Sequence, residues 1–565
     1  MNPPAHTPST PHGRRLPRWI KAIALILILV GIGFRSTNLD LKPFWGDEVY
    51  SITRVSGYQR QTIRKQLDQQ RLTVADLEKY RDPQSGQNWL ETMRALSTRP
   101  EHTPLYFIIL RIWSEIFGHS TAALRSLSVL FSVLSLGVFY LLGRSLFPTD
   151  SATGDAAGWG AMTLSAISPV LLRYAQETRS YSLWVIGLGL STWALLRAWR
   201  SPSRRNWVIY ALSLILAFHS HLLTLFAIIA HGVALTVHGL LNRWQQTPLR
   251  GWILTTLGSG IVMGPWLALV VFKQSEVQTR TGWLNNSRPL EQLMRAWAKG
   301  FSKTWVDLPM GRLVRNWSEG LGKNGLEIPI RPMVVWWLIA LVCMVGVAIA
   351  TVYLWRHSQR SSIITILSLT LVPTLIILAM DFLLGGKRSI VNRYFIATYV
   401  GLLALSGSAL GSALAGRVGQ RRLSVKTLGL WSSTVLLVLL SVFSMGQIHQ
   451  APLWGKRGSY VPNFASALAQ RPNAVLVSDR SIAQFLALAY TLPPDQELIW
   501  VRTHTLKKED RPPLPIEDDE TIILFSPSEA LEEAVKTQRQ QPLSESIVDD
   551  RDSRFNLKLI SPSKP

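Results

Sequence analysis

Charged residues and cysteine are both scarce in this sequence. Of its 565 residues, 17% are charged and 47% are hydrophobic, and the single cysteine, Cys343, lies within an apolar run. One cysteine excludes an internal disulfide bond and a cysteine-based metal site. Soluble domains average about 25% charged residues. The composition therefore indicates a membrane protein.

Apolar runs that are long enough to cross a bilayer recur between residues 18 and 446. A spanning helix needs roughly 20 apolar residues, and the 22 tryptophans suit interfacial aromatic belts. The first run has no small-x-small cleavage site behind it, so we interpret it as an anchor rather than a signal peptide. We predict about eleven spans, near residues 18–35, 124–146, 156–172, 180–198, 207–221, 222–242, 252–272, 333–354, 361–384, 393–414 and 425–446.

The net charge of +24 has two possible explanations, a nucleic-acid surface or basic cytoplasmic loops. Much of the excess lies in short loops between apolar runs, as the positive-inside rule predicts, so we expect no nucleic-acid partner. We expect the N-terminal tail, 1–17, to be cytoplasmic and the C-terminal tail to be extracytoplasmic, in a multi-pass protein of the cell membrane. The clusters without acidic residues are Arg14, Arg15, Arg18 and Lys21; Arg197, Arg200, Arg204 and Arg205; and Arg417, Arg421, Arg422 and Lys426.

The membrane region, 18–446, then has two long outer loops, 36–123 and 273–332. The apolar stretch 104–118 is too short to span and carries Arg111 and Glu115, so we interpret it as a helix on or dipping into the outer surface. Both loops contain amphipathic pieces, which either pack on the membrane or form a cradle for a lipid-linked substrate. Two such pieces lie in 273–332: Leu290, Leu293, Met294, Trp297 and Phe301, and Leu313, Val314, Trp317 and Leu321.

The tail, 449–565, reads as a small soluble α/β domain. "NAVLVSD" and "TIILFS" are typical of strands, whereas "RSIAQFLALAY" and "PSEALEEAVKTQ" are typical of helices. The tail has no Gly-rich phosphate loop and no nucleophile elbow, so we assign it no chemistry.

Polar groups gather at four places on the predicted outer face. Asp47 and Glu48 follow the first span, and His102 closes the first outer loop. The other two groups are the turn 168–182, with Arg173, Glu177, Arg179 and Tyr181, and the turn 385–395, with Lys387, Arg388 and Arg393.

Each group also has a structural interpretation. Asp47 and Glu48 suit a helix N-terminus, where a carboxylate accepts from unpaired N–H groups, and Glu177 with Arg179 suits an exposed cap or ion pair. His102 either contacts a ligand or ends the loop. The bases of 385–395 oppose the positive-inside pattern, so either they snorkel to the interface or an anionic ligand retains them.

Taken in their order along the chain, these groups resemble the motifs of the membrane glycosyltransferases of the GT-C fold. The protein-mannosyltransferase and aminoarabinose-transferase type (glycosyltransferase families 39 and 83), which includes bacterial core galacturonosyltransferase-like members, is the most similar. The resemblance is carried by "FWGDEVYS", by the stretches from "EHTPLYF" to "LLGRSLF" and from "ISPVLLRYAQETRSYS" to "WALLRA", and by "VNRYF". His102 departs from the pattern, because many relatives have paired prolines there.

The resemblance implies a polyprenyl-phosphate sugar donor and inverting transfer to a lipid, glycan or protein acceptor. It implies Asp47 as the general base beside Glu48, with Glu177 orienting acceptor or sugar. Cations would stabilise the departing lipid phosphate; we assign substrate binding to His102, Arg173, Arg179, Tyr181, Lys387, Arg388 and Arg393. We assign no cofactor and no metal site, and leave divalent-metal dependence open.

Two other functions remain alternatives. A lipid or sugar transporter should carry ionisable residues deep in several spans, often with an internal repeat. The sequence has neither clearly, and its polar groups lie at the outer ends of spans, which favours an enzyme. A polymerase or ligase of lipid-linked glycans has the same sequence features as a transferase.

The predicted sidedness can be tested by cysteine labelling. In a Cys343→Ala background, we expect Ser201→Cys to react with an impermeant thiol reagent only in opened vesicles, and Ser528→Cys to react in intact cells. The opposite pattern would refute the topology and the outer-face site.

Overall fold

The computed structural model describes residues 15–244, 247–308, 332–417, 425–452, 461–502, 513–541, 546–550 and 555–560. The predicted segment with Leu313, Val314, Trp317 and Leu321 lies outside these ranges, as do Arg14, Arg421 and Arg422. The chain divides into two compact units. The first, the membrane unit, comprises 1–37, 128–176 and 180–449; the second, the sheet unit, comprises 38–127, 177–179 and 450–565.

Helices form at each of the eleven predicted spans. Eight are long and apolar enough to cross a membrane among the described residues; the others are Ser151–Ala166, Tyr181–Arg200 and Arg204–Ser220. This confirms a multi-pass helical membrane protein. The eight are Arg18–Ser36, Thr121–Arg144, Thr224–Leu241, Leu249–Phe272, Pro332–His357, Arg360–Leu384, Ile396–Arg417 and Val425–Gln450.

The third predicted span, 156–172, is wrong in its extent. The helix ends at Ala166, and a separate short helix, Pro169–Ala175, follows. The residue before a proline is disfavoured in the helical conformation, and proline lacks the N–H that would continue the ladder. Ser168 accordingly has an extended backbone, with φ −77° and ψ 120°.

Small residues let two of the membrane unit's helices approach closely. Gly407 and Gly411 of one helix face Ala156 and Gly160 of the other. A Cβ atom on Gly407 would lie 2.6 Å from the Cα of Ala161. Two small residues four apart on each helix are the arrangement that permits close packing in a bilayer.

Arg35 fastens the end of the first helix inside the membrane unit. Its guanidinium is fully buried and donates to Ser132 Oγ at 3.0 Å, to the Gly31 carbonyl at 2.8 Å, and to the carbonyls of Ser165 and Ala166. A buried charge is tolerated where its donors are satisfied in this way.

The sheet unit contains a mixed six-stranded sheet in the order β1-β3-β2-β4-β6-β5. The central strands β3, β2 and β4 are parallel, whereas β1, β6 and β5 are antiparallel to their neighbours. The predicted small C-terminal α/β fold is confirmed. The strands are β1 (Arg71–Thr73), β2 (Val475–Ser478), β3 (Glu497–Trp500), β4 (Ile522–Phe525), β5 (Ser546–Asp550) and β6 (Phe555–Ile560).

The first outer loop supplies β1, although the sequence had assigned 36–123 to the membrane region. Arg71 pairs with Ile499 in the ladder and forms ion pairs with Glu497 and Glu520, which raise the pKa of its guanidinium. Residues 38–127 therefore fold with 450–565 in one compact unit.

Shorter helices complete both units. Leu105–Phe117 has 13 residues, about 20 Å of helix, which is short of a bilayer core of about 30 Å. The sheet unit also has Gly46–Val55, Arg60–Leu67, Val74–Leu77, Trp89–Ser97, Val461–Ala469, Ile482–Ala489 and Glu529–Arg539, and the membrane unit has Gln274–Thr281 and Leu290–Ser302.

Candidate active site

The acidic pair opens the helix Gly46–Val55, and its two members have different environments. Glu48 is completely buried, whereas Asp47 is partly exposed. Glu48 forms a bidentate ion pair with Arg125, with Nε–Oε1 at 2.9 Å and Nη2–Oε2 at 2.8 Å. The Thr178 N–H donates to Oε1 at 2.9 Å, and the Trp45 N–H to Oε2 at 3.3 Å. The predicted capping role thus falls to Glu48.

Arg125 is as completely buried as its partner. It also donates to the carbonyls of Leu39 at 2.6 Å, Lys42 at 2.7 Å and Pro43 at 3.2 Å. The ion pair therefore joins the loop before the helix, the helix itself and the turn at Thr178. With both oxygens occupied by donors, Glu48 is suited to positioning the helix, and its predicted share in catalysis stays a prediction.

Asp47 is held by its backbone. Its carbonyl oxygen accepts from Ser51 Oγ at 2.9 Å and from Arg179 Nη1 at 3.3 Å, and Arg179 Nη1 also donates to Ser51 Oγ at 2.9 Å. These contacts fix the start of the helix, where Asp47 is partly exposed. An accessible carboxylate on a fixed helix turn is suited to taking a proton from a bound hydroxyl group.

Three arginines lie together on this side of the sheet unit, and we call Arg54, Arg99 and Arg179 the arginine cluster. Burial, followed by the charges of Arg179 and Arg99, lowers the pKa of Arg54 to about 9, against the opposing effects of Glu101 and Asp47. Arg54 donates through Nε to the Tyr50 carbonyl at 2.6 Å. Its buried Nη1 has no hydrogen-bond acceptor among the described residues, so an anionic ligand would satisfy it.

His102 and Glu177 border the arginine cluster. His102 Nδ1 lies 3.5 Å from Arg179 Nη2. Because a guanidinium has no acceptor atom, Nδ1 must accept in this contact, which leaves the proton of a neutral His102 on Nε2. Glu177 is completely buried, and its carbonyl accepts from the Arg179 N–H at 2.7 Å. Both residues are placed to orient Arg179.

Arg173 and Tyr181 belong to the membrane unit. Arg173 donates through Nε to Asp307 Oδ2 at 2.7 Å. Burial alone would raise the pKa of Asp307, but Arg173 and Lys303 lower it below its usual range. Tyr181 is 1% exposed and packs edge-on against Tyr174, with ring centroids 5.0 Å apart. These contacts give both residues structural roles, and their predicted contact with substrate is untested.

The turn 385–395 also belongs to the membrane unit, and its three bases differ. Arg388 is engaged by Asp381, whose Oδ1 accepts from the Arg388 N–H at 2.8 Å and from Nη1 at 3.3 Å. Lys387 is largely buried, with Nζ 5.5 Å from the centre of the Trp283 ring. Arg393 is partly exposed and lies in the short helix Asn392–Phe395, which leads into Ile396–Arg417.

An apolar cavity of about 380 Å³ lies beside this turn within the membrane unit. The amphipathic helix Leu290–Ser302 lines it with Leu290, Met294, Trp297 and Phe301, and the turn contributes Ser389 and Asn392. Four of the five apolar positions predicted for this helix thus face a cavity. Of the two interpretations of this helix, the cavity favours a cradle for a lipid chain over packing alone.

The sequence motifs did not indicate Arg54, Arg99 or Arg125. Arg54 lies seven residues after Asp47, which places both on one face of a helix after two turns. The spacing alone therefore predicts that Arg54 and Asp47 share a face. Arg125 stands in the first turn of an apolar span, where an unpaired charge would be costly. That position indicates a buried ion pair, but only the fold identifies Glu48 as the partner.

Removing the charge of Glu48 should destabilise the protein. We expect Glu48→Gln to cost about 3–5 kcal/mol, because it leaves Arg125 buried without its counter-ion. Thermal unfolding of the detergent-solubilised variants measures this, with Asp47→Asn as the matched control that should unfold like wild type. The Glu48→Gln/Arg125→Gln double variant should lose less than the sum of the single losses. Wild-type unfolding of Glu48→Gln would contradict the positioning role.

The chain is similar to two solved membrane transferases, and no curated protein sequence matches it. ArnT from Cupriavidus metallidurans bound to undecaprenyl phosphate is 13% identical, covering 95% of this chain and 98% of its own, with a TM-score of 0.49. The Archaeoglobus fulgidus oligosaccharyltransferase in its apo form is 14% identical, covering 85% of this chain and 64% of its own, with a TM-score of 0.45.

A family model gives the more specific match. Residues 101–268 match the model described as dolichyl-phosphate-mannose-protein mannosyltransferase. The matched region begins at "EHTPLY" and includes Glu177 and Arg179. Over these residues, the match confirms the resemblance to membrane glycosyltransferases that the sequence motifs indicated.

Proposed function

We propose that this chain is an inverting glycosyltransferase that moves a sugar from a polyprenyl-phosphate carrier to an acceptor hydroxyl group at the outer membrane face. The observation that carries the proposal is the pairing of a partly exposed Asp47 with the arginine cluster in the same unit. A base and a group of cations are the two components that this reaction requires. The family match over 101–268 supports the same class of reaction.

In the proposed mechanism, Asp47 accepts the proton of the acceptor hydroxyl group as its oxygen attacks the anomeric carbon. The bond from that carbon to the phosphate oxygen breaks on the opposite face, which inverts the configuration. The leaving lipid phosphate gains a negative charge. A nearby guanidinium would stabilise that charge through charge-assisted hydrogen bonds, and Arg54 has a buried N–H group without an acceptor among the described residues.

The membrane unit would hold the carrier's chain. Its apolar cavity beside the turn 385–395 suits a hydrocarbon chain, and the turn's bases suit a phosphate. Arg393 is the first candidate there, because it is partly exposed at the start of the helix Ile396–Arg417, and Lys387 is the second. The phosphate therefore has two candidate partners, these two bases or the arginine cluster.

Asp47→Asn should abolish transfer while leaving the fold intact. The substitution keeps the shape of the side chain and removes its basicity, which should lower the rate by about 10²–10⁴-fold. Sugar transfer from a synthetic polyprenyl-phosphate sugar is the measurement. The matched control is Asp40→Asn, at an exposed position in the same unit, which should turn over normally.

Asparagine caps a helix as well as aspartate does. Near-normal transfer by Asp47→Asn would therefore exclude Asp47 as the base of the mechanism. Normal carrier binding without transfer in this variant is the result we expect.

Carrier binding distinguishes the two sets of cations. We expect Arg393→Ala to weaken binding of a short polyprenyl phosphate by roughly 10–150-fold, which is the change expected from the loss of one hydrogen bond to a charged group. Arg393→Lys should be intermediate, because it keeps the charge and loses the planar fork. Lys387→Ala is the second variant, and Arg179→Ala is the comparison in the arginine cluster.

If only Arg179→Ala loses binding, the arginine cluster holds the phosphate and the bases of the turn lie at the membrane interface. If Arg393→Ala, Lys387→Ala and Arg179→Ala all bind the carrier like wild type, neither set contacts it.

Trp297→Ala should weaken binding of the carrier chain while leaving that of a soluble sugar phosphate unchanged.

A further inference from the structure

A second group of cations surrounds a cavity of about 510 Å³ in the sheet unit. We call it the basic pocket. Five basic side chains and one carboxylate line it: Arg60, Arg64, Lys65, Arg480, Arg502 and Asp479. Its volume lies within the range of small-molecule sites, about 300–1,000 Å³.

The basic pocket lies at the carboxyl ends of two parallel strands. Asp479 and Arg480 follow β2 directly, and Arg502 lies two residues beyond β3. The helix Arg60–Leu67 closes the remaining side. In open sheets with parallel strands, the crevice outside these strand ends is the usual place for a ligand. The position of the pocket therefore favours ligand binding independently of its charge.

Some of the lining charges have protein partners. Arg480 donates through Nη2 to Ser526 Oγ at 3.0 Å, and Arg502 pairs with Asp68 at 3.2 Å. The one lining carboxylate, Asp479, accepts from the Ser528 N–H at 3.1 Å. Asp479 is thus hydrogen-bonded to Ser528, and the lining of the pocket carries five basic side chains against this one carboxylate.

Arg64 and Lys65 have no ion pair with any of the residues that the structure describes. Arg64 is partly exposed and Lys65 is exposed, so both can contact a ligand from solvent. Two adjacent cations beside three others repel one another at short range. An anion bound among them would relieve this repulsion.

The helix Ile482–Ala489 adds a further positive end. Its N-cap residue, Ser481, lines the pocket, but its hydroxyl group donates to Gln484 Oε1 at 2.9 Å instead of capping the helix. The first N–H groups of a helix and its dipole favour negative charge. Here they coincide with a pocket that is already basic.

We propose that the basic pocket is a binding site for a phosphate-bearing ligand. Several guanidinium groups, which bind phosphate bidentately, favour a multiply charged phosphoryl group over a single carboxylate. The site contains none of the residues assigned to sugar transfer, so it does not depend on the proposed function. The phosphate could come from a soluble phosphorylated glycan or from an anionic lipid headgroup.

Titration calorimetry of the full-length protein in detergent, with inorganic pyrophosphate as the probe, tests the site. We expect Arg64→Gln/Lys65→Gln to weaken binding at least about tenfold, or about 1.4 kcal/mol. The matched control, Arg94→Gln/Lys536→Gln, removes the same charge from positions outside the pocket in the same unit. It should bind like wild type.

Equal binding by wild type and by Arg64→Gln/Lys65→Gln would overturn the proposal. An equal loss in the control would also overturn it, because the effect would then follow net charge alone. Both double variants should show the wild-type thermal transition and sugar transfer, since the substituted side chains are at least partly accessible. Failure of the proposed transfer activity would not affect this binding result.

Reconstitution separates the two sources of phosphate. The difference in pyrophosphate binding between wild type and Arg64→Gln/Lys65→Gln is measured in phosphatidylcholine vesicles with and without phosphatidylglycerol. A difference that persists with phosphatidylglycerol assigns the site to a soluble phosphorylated ligand. A difference that disappears assigns it to a lipid headgroup that already occupies the pocket.

Discussion

A carboxylate removed from water is tolerated only if donors compensate its charge. Glu48 meets this condition through Arg125 and the N–H groups of Thr178 and Trp45. These groups come from positions up to 130 residues away from Glu48 in the chain. The requirement that Glu48 be compensated therefore sets where the helix begins, and with it where Asp47 is presented.

The same constraint explains why two adjacent acids differ in role. Asp47 and Glu48 carry the same chemical group, and either could cap a helix or act as a base. Rotation of about 100° from one residue to the next on a helix turns one towards the interior and the other towards solvent. The buried one anchors the helix, and the partly exposed one is the base in the proposed transfer reaction.

The sequence predicted the helices well because apolar length is a local property. The eleven predicted spans and the strands β2 and β4 arise from runs of a few to about twenty residues. Strand β1 was missed because it is three residues long and pairs with β3 about 425 positions later. Such a short segment has no periodicity of its own, so only its distant partner makes it a strand.

The predicted site residues show a similar division. Residue type and order indicated Asp47, Glu177 and Arg179, which the fold places in one unit with His102. The electrostatics of that unit depend on Arg54 and Arg99, which were not predicted. The effect of Arg99 and Arg179 on the pKa of Arg54 depends on the distances between their guanidinium groups. Residue order alone does not give those distances.

The arginine cluster and the basic pocket are connected through one aromatic ring. Tyr50 lies on the helix of Asp47, and its ring is 5.9 Å from the Arg99 guanidinium and 5.4 Å from that of Arg60. An aromatic face attracts cations, so the ring holds both arginines in place. Arg60 belongs to the basic pocket and Arg99 to the arginine cluster. An anion bound in the pocket would therefore contact Arg60, whose guanidinium packs against the same Tyr50 ring as Arg99 of the arginine cluster.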